Sequence, residues 1–140
     1  MKERFRHSGS APELRPLIRF RIVGLPEKKY LPGLVDSGSN STYIDARYAE
    51  LLGIDLTHLP KSETRIGGGA HDVYEASIEL VVGQHKWESR VKFATNWNEW
   101  HQVLGVHELF ELFRVGIDAE AQMTEVSPKR NDPRLVRVKG

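Results

Sequence analysis

Leu34-Val35-Asp36-Ser37-Gly38-Ser39 places one carboxylate at the end of an apolar run, directly before small polar residues that continue through Asn40, Ser41 and Thr42. An acid at such a boundary is partly desolvated, which makes its ionisation sensitive to whatever it faces. Gly38 leaves the carboxylate without a neighbouring side chain and lets another backbone come close. The Ser37 hydroxyl supplies both a donor and an acceptor with which the loop can be locked against a partner. Alone, Asp-Ser-Gly is a weak match and reads more simply as a turn in which Asp caps the local backbone. The surrounding chain decides between the two.

Toward the N-terminus, Leu17 to Val23 alternates, with Ile18, Phe20 and Ile22 on one face and Leu17, Arg19, Arg21 and Val23 on the other. That period of two predicts a half-buried strand. Tyr30 to Val35 predicts a second strand, interrupted by Pro32 and Gly33, after a turn at Gly24 to Lys29. Residues 1–15 are polar and basic with few apolar anchors, which predicts a mobile arm. Toward the C-terminus, Asp45 is placed to cap a short helix from Ala46 to Leu52, closed by Gly53. A glycine cluster, Gly67 to Gly69, follows an extended piece. Val73 to Val82 and Lys86 to Ala94 then read as strands joined by a tight turn at Gly83-Gln84. Asn96 to His101 is loop-like and holds Trp97 and Trp100, more plausible as core or surface anchors than as pocket lining. Val103-Leu104-Gly105 precedes an amphipathic segment, His107 to Phe113, that predicts a helix. Val115 to Asp118 and Met123 to Val126 read as closing strands, and residues 127–140 as a frayed basic tail. The chain is therefore expected to be an all-β barrel or sandwich with one or two small helices.

Composition narrows the function. At 140 residues, 39% hydrophobic and 28% charged, the chain suits one domain with a modest core. A net charge of +1 argues for neither a nucleic-acid nor a membrane partner. Having no cysteine, the chain has no disulfide, thiolate nucleophile or cysteine-ligated zinc. The six histidines show no ligand spacing, and His71 beside Asp72 reads as an exposed pair, so no metal is expected. No apolar run reaches the roughly 20 residues of a membrane helix. The start lacks the apolar segment of a signal peptide, which makes the cytoplasm the expected location.

Asp36-Ser37-Gly38-Ser39, with its apolar lead-in, resembles the active-site loop of the retropepsin-like aspartic peptidases, the single-domain relatives of retroviral proteases. Their pattern continues with an apolar residue and a short helix, matched by Ile44 and by Tyr48 to Leu52 with Gly53-Ile54. A glycine-rich flap on a hairpin comes next, matched by Ile66-Gly67-Gly68-Gly69-Ala70. An apolar-apolar-Gly triplet before a short helix is matched by Val103-Leu104-Gly105 and Glu108 to Phe113. The resemblance spans residues 16–126, framed by the arm 1–15 and the tail 127–140, and its specificity lies in the order of the three features. It implies a closed β-barrel with a flap, acting as a homodimer. Asp36 of each subunit would join one catalytic dyad, Ser37 and Gly38 would support the loop, and Ile66, Gly67, Gly68 and Gly69 would cover an extended polypeptide substrate. No cofactor is implied. Two positions depart from the family: its Arg after the triplet glycine and the acid that pairs with it are Val106 and Asn40 here. Losing both together leaves no uncompensated charge.

Five other readings compete with this one. An inactive dimer of the same fold would bind peptides or proteins through the same groove. The basic tail, with Lys129, Arg130, Arg134, Arg137 and Lys139, suggests nucleic acid, but no aromatic ladder accompanies it and a solvated tail is the simpler reading. Asp36 to Ser41 also fits a phosphodegron, against which the apolar lead-in predicts burial. Asn40-Ser41-Thr42 fits a glycosylation sequon with no secretion signal to make it usable. The glycine cluster lacks the Lys-Ser/Thr of a phosphate loop.

Overall fold

The computed structural model describes residues 2–9 and 14–138. Eleven strands and very little helix make up these residues: β1 (Glu3–Arg6), β2 (Leu17–Ile22), β3 (Leu31–Val35), β4 (Thr42–Asp45), β5 (Lys61–Ile66), β6 (Gly69–Val82), β7 (His85–Ala94), β8 (Gln102–Leu104), β9 (Phe113–Asp118), β10 (Met123–Pro128) and β11 (Val136–Arg137). One helix, α1 (Arg47–Leu51), follows β4. Pairing runs β7-β4-β8-β3-β2-β6, and β6 returns to β7, so six strands close a barrel. The expected all-β barrel with small helices is what forms.

The barrel closes because alternation along its strands delivers apolar side chains to one interior. Ile18, Phe20 and Ile22 of β2 are buried while Arg19 between them is exposed, as the period of two requires. They meet Leu80 and Val82 of β6, Trp87 and Phe93 of β7, and Leu104 of β8 in the main core. Each fully buried aromatic or aliphatic side chain contributes about 1.5–3 kcal/mol. The β6–β7 hairpin pairs ten residues on each strand across Gly83-Gln84, from Val82↔His85 to Val73↔Ala94. The β5–β6 hairpin projects beyond the barrel and turns at Gly67-Gly68. Those two residues have φ of 59° and 85°, in the left-handed region that glycine enters without steric cost.

Three internal segments differ from the sequence expectations. β4 was not expected, because its residues overlap the small polar run; it forms through parallel pairing with β7, Thr42↔Val91 to Asp45↔Ala94. Asp45 Oδ1 accepts from the Arg47 N–H at 3.0 Å, but the helix is only Arg47–Leu51. The segment expected to be a helix from His107 to Phe113 is a helical stretch, Val106–Phe110, broken inside by Glu108 at φ 71°, ψ −52°, and Phe113 already belongs to β9. That strained conformation costs about 1–3 kcal/mol. It is held by the Glu108 carboxylate, which accepts from the Arg90 backbone N–H at 2.7 Å.

The ends of the chain are more ordered than their composition suggests. Glu3–Arg6, expected within a mobile arm, is β1 and pairs antiparallel with β10, which also pairs with β9 in a separate three-stranded sheet. Residues 1 and 10–13 of that arm lie outside the described residues. The segment after Ser127, expected to be frayed, begins inside β10, which ends at Pro128, and is tied down beyond it. Lys129 Nζ donates to the Phe110 carbonyl at 2.9 Å, Arg134 bonds Glu111 and Asp132 at 2.8 Å each, and β11 pairs with β7. Residues 139 and 140 lie outside the described residues.

Candidate active site

Asp36 sits where β3 ends. β3 runs parallel to β8, with Leu34↔Val103 and Val35↔Leu104 in register, and the Asp36 N–H donates to the Leu104 carbonyl at 3.0 Å. The triplet Val103-Leu104-Gly105 therefore lies beside the carboxylate-bearing loop rather than elsewhere in the fold. Asp36 is half-buried, and its Oδ1 accepts from the Gly38 N–H at 2.9 Å, closing a two-residue turn. Ser37 and Gly38 are exposed, while Ser39 and Ser41 are half-buried like Asp36, so the loop is only partly buried.

The loop is pinned from behind. Val106 N–H donates to the Ser39 carbonyl at 2.7 Å, His107 N–H to the Asn40 carbonyl at 3.0 Å, and Gly105 N–H to Thr42 Oγ1 at 3.2 Å. Ser39 Oγ donates to the Ser41 carbonyl at 2.7 Å. These bonds join the same two places, around Asn40 and Val106, at which the resembled family carries an Arg–acid pair. Backbone bonds thus hold the two segments together with no charge required. Gly105 is needed here because of close approach: a Cβ would lie 2.6 Å from the Ser41 carbonyl carbon and 2.7 Å from the Ser39 oxygen.

A cleft of about 460 Å³ opens over this loop, lined by Asp36, Gly38, Val103, Ile66 and Gly67 among others. Asp36 and the arm of the β5–β6 hairpin thus face one space. Gly68 is at the exposed hairpin tip and Gly69 starts β6; neither lines the cleft. Leu104 points into the core and Gly105 is buried against the loop. Sequence reading did not place Tyr43, Arg65 and Lys92 in the lining. The alternation of β7 was the available signal for the last, since Lys92 lies between the buried Val91 and Phe93.

The hairpin rests on a second apolar cluster of Val73, Ala94, Trp97 and Val103, with Tyr43 and Ile66 packed against it. His71, read from the sequence as exposed, is buried there: its Nδ1 lies 2.6 Å from the Thr95 carbonyl, and its ring is 5.9 Å from that of Trp97. Trp97 Nε1 donates to the His101 carbonyl at 2.9 Å, which fixes the 95–101 loop beneath the hairpin. Trp97 is buried and Trp100 is 57% exposed; neither reaches the Asp36 cleft. Among the described residues, no group of three or more His, Asp or Glu is placed to hold a metal ion, and no helix is long and apolar enough to cross a membrane.

The sequence matches no family model and no curated protein. Solved structures do match. A retropepsin-like aspartic protease from Rickettsia conorii superimposes with a TM-score of 0.63 at 16% identity, over 90% of both chains. The fold is retropepsin-like. The retroviral protease-like domain of Ddi1 from Leishmania major gives a TM-score of 0.57 at 12% identity, covering 87% of this chain and 94% of that one. EIAV protease, complexed with the inhibitor HBY-793, gives 0.50 at 18% identity, covering 75% and 94% respectively. In this retropepsin-like fold, the Asp36 loop, Ile66 and Gly67 of the hairpin, and Val103 of the triplet line one cleft. At such identities the likeness concerns architecture, and the chemistry rests on the residues themselves.

Proposed function

We propose that this chain is half of an aspartic endopeptidase, a homodimer in which Asp36 from each subunit forms one carboxylate dyad on the two-fold axis. The observation that carries the proposal is the shared cleft: a half-buried carboxylate on a pinned loop faces a hairpin whose tip bends through two glycines. One chain supplies one Asp-Ser-Gly, and a two-fold axis supplies the second by bringing the same patch against itself. The exposed Ser37 is then available to brace the paired loops. Residues 16–126 form the peptidase domain in this reading, residues 1–15 and 127–140 are accessory, and the dimer works in the cytoplasm.

Two carboxylates at hydrogen-bonding distance share a single proton, because both cannot ionise together. The ionised member takes a proton from a water molecule, whose oxygen attacks the peptide carbonyl carbon. The protonated member gives its proton to the carbonyl oxygen. The resulting tetrahedral diol collapses as a proton passes to the amide nitrogen and the C–N bond breaks. Closure of the Ile66 to Gly69 hairpin over an extended polypeptide excludes bulk water during these steps. The dyad needs neither a cofactor nor a covalent intermediate.

A second reading, an inactive dimer that binds peptides in the same groove, is favoured by Asn40 and Val106. Asp36→Asn distinguishes the two. The variant keeps size and most hydrogen bonding, so it should fold, retain peptide binding and lose proteolysis. In the unmodified protein, specific activity should rise with protein concentration until the dimer saturates, within a bell-shaped pH profile on the acidic side of neutrality. Proteolysis that persists in purified Asp36→Asn, or full activity from a sedimenting monomer, would overturn the proposal.

A further inference from the structure

The side chains around Asp36 carry information about what flanks the bond to be cut. Two cations line the cleft, Lys92 of β7 and Arg65 of β5, beside neutral Asn40 and Ser41; among the described residues, Asp36 is the one acid in its lining. Lys92 is half-buried, and its Nζ lies over the Tyr43 ring, 6.0 Å from the ring centre. Neighbouring acids are engaged elsewhere: Asp72 pairs with Lys61 at 3.7 Å, Glu79 with Lys86 at 3.3 Å and Glu108 with Arg90 at 3.4 Å. Glu75 stands opposite Lys92 in register, and the two line an adjacent cavity of about 220 Å³ together with Arg90, but they form no ion pair with each other among the described residues. Glu99 lies by Gly67 and is 3.7 Å from His101. A partly desolvated ammonium with no anionic partner favours a ligand that brings one.

Its position fixes how far from the scissile bond that anion belongs. Leu34, Val103, Tyr43 and Lys92 form one row across β3, β8, β4 and β7. Three strand spacings separate the Leu34 and Lys92 backbones by about 14 Å, Asp36 lies two residues beyond Leu34, and the lysine stem reaches back across the span, while an extended peptide advances about 3.3 Å per residue. We propose that the cleft selects substrates with an aspartate or glutamate about two or three residues from the scissile bond, with Lys92 as the specificity-determining residue and Arg65 supporting it. The inference rests on the peptidase reading above. In a two-fold dimer both copies of Lys92 flank the dyad, so the preference extends to both sides of the bond.

The test uses matched fluorogenic peptides with Glu, Gln or Lys at each position near the cut, given to wild type, Lys92→Gln and Lys92→Glu. Binding of the same peptides to Asp36→Asn, with and without Lys92→Gln, is read by fluorescence anisotropy. Glu peptides should exceed their Gln counterparts about 10-fold in kcat/KM and in affinity. Lys92→Gln should erase the difference, Lys92→Glu should turn it toward Lys, and added salt should shrink it. Cleavage without an acid preference, or a preference that survives Lys92→Gln, overturns this inference and leaves the peptidase reading standing. Acid-selective binding without cleavage by wild type supports the selectivity and overturns proteolysis. Neither binding nor cleavage overturns both.

Discussion

Replacing Gly105 by alanine tests whether the triplet positions the Asp36 loop. Gly105 is buried in extended backbone, with φ −90° and ψ −173°, so alanine meets no dihedral penalty and the whole effect is steric. Its Cβ would press on the carbonyls of Ser41 and Ser39, which are main-chain atoms with no rotamer to change. Relief therefore requires the Ser39 to Ser41 backbone to retreat by about an ångström from β8, toward ordinary van der Waals separation. That retreat stretches the Val106–Ser39, His107–Asn40 and Gly105–Thr42 hydrogen bonds, now 2.7, 3.0 and 3.2 Å. Overpacking costs about 1–3 kcal/mol, and weakening two or three hydrogen bonds adds about 1–2 kcal/mol. A loss of about 2–5 kcal/mol lowers Tm by roughly 7–17 °C in a domain of this size. A displacement of about 1 Å at the carboxylate lowers turnover about 100-fold even at temperatures where the variant stays folded. Thermal unfolding followed by near-ultraviolet circular dichroism measures the first effect, and peptide turnover at 20 °C (a temperature of about that value suffices) measures the second. Gly116→Ala is the control, because a Cβ there meets nothing within 4 Å. It should stay within about 0.5 kcal/mol of wild type. A Gly105→Ala protein as stable as that control would refute the packing argument.

Two further predictions follow from the hairpin and the tail. Gly68→Val should lower turnover more than stability, since a Cβ at Gly68 meets nothing within 4 Å while its φ of 85° resists a β-branched residue; unchanged kinetics in a folded variant would make the glycines a plain surface turn. Arg134, with the backbone N–H of Glu108 and the His107 side chain, holds the Glu111 carboxyl down to about 2. A depressed carboxyl stabilises the folded state above its ordinary value and loses that contribution as pH falls toward about 2. Both partners are more than a third exposed, so the contribution is screened to about 1 kcal/mol or less. The Tm difference between wild type and Arg134→Gln should accordingly be largest near neutrality and vanish by about pH 2; a difference independent of pH would mean that Arg134 acts through packing.

What the sequence disclosed depended on how local the cause was. The alternation of Leu17 to Ile22 and the Gly83-Gln84 turn are local, and β2 and the β6–β7 hairpin form where they were read. β4 is not local: Thr42 and Tyr43 look like loop until Val91 and Lys92 of β7 pair with them. The same holds for β1, whose partner β10 lies at the other end of the chain. Amphipathic spacing suggested a helix from His107 to Phe113, but it carries no trace of the Arg90 N–H that holds Glu108 outside helical geometry. At the site, Asp36, the flap glycines and the triplet stood out because their spacing and small residues are unusual. Arg65 and Lys92 did not, since a cation on a strand face ordinarily points to solvent.

Asn40 and Val106 carry the strongest objection to catalysis, and the geometry around them bears on it. An ion pair between these positions would tether the Asp36 loop to the segment after the triplet through two side chains. Here the tether is main chain, from Val106 and His107 to Ser39 and Asn40, and Glu108 anchors the same segment to β7 through the Arg90 N–H. Backbone bonds hold position without the desolvation cost of a buried pair, and they do not loosen when carboxylates protonate. A peptidase whose dyad holds one proton works best where many surface carboxylates begin to protonate, so a charge-free tether keeps the loop in register under those conditions. Within one chain, the loop is therefore supported whether or not the ion pair exists. In the proposed peptidase, activity then requires the second copy of Asp36, and because the binding-module reading is also a dimer, peptide cleavage by the associated protein is what separates the two.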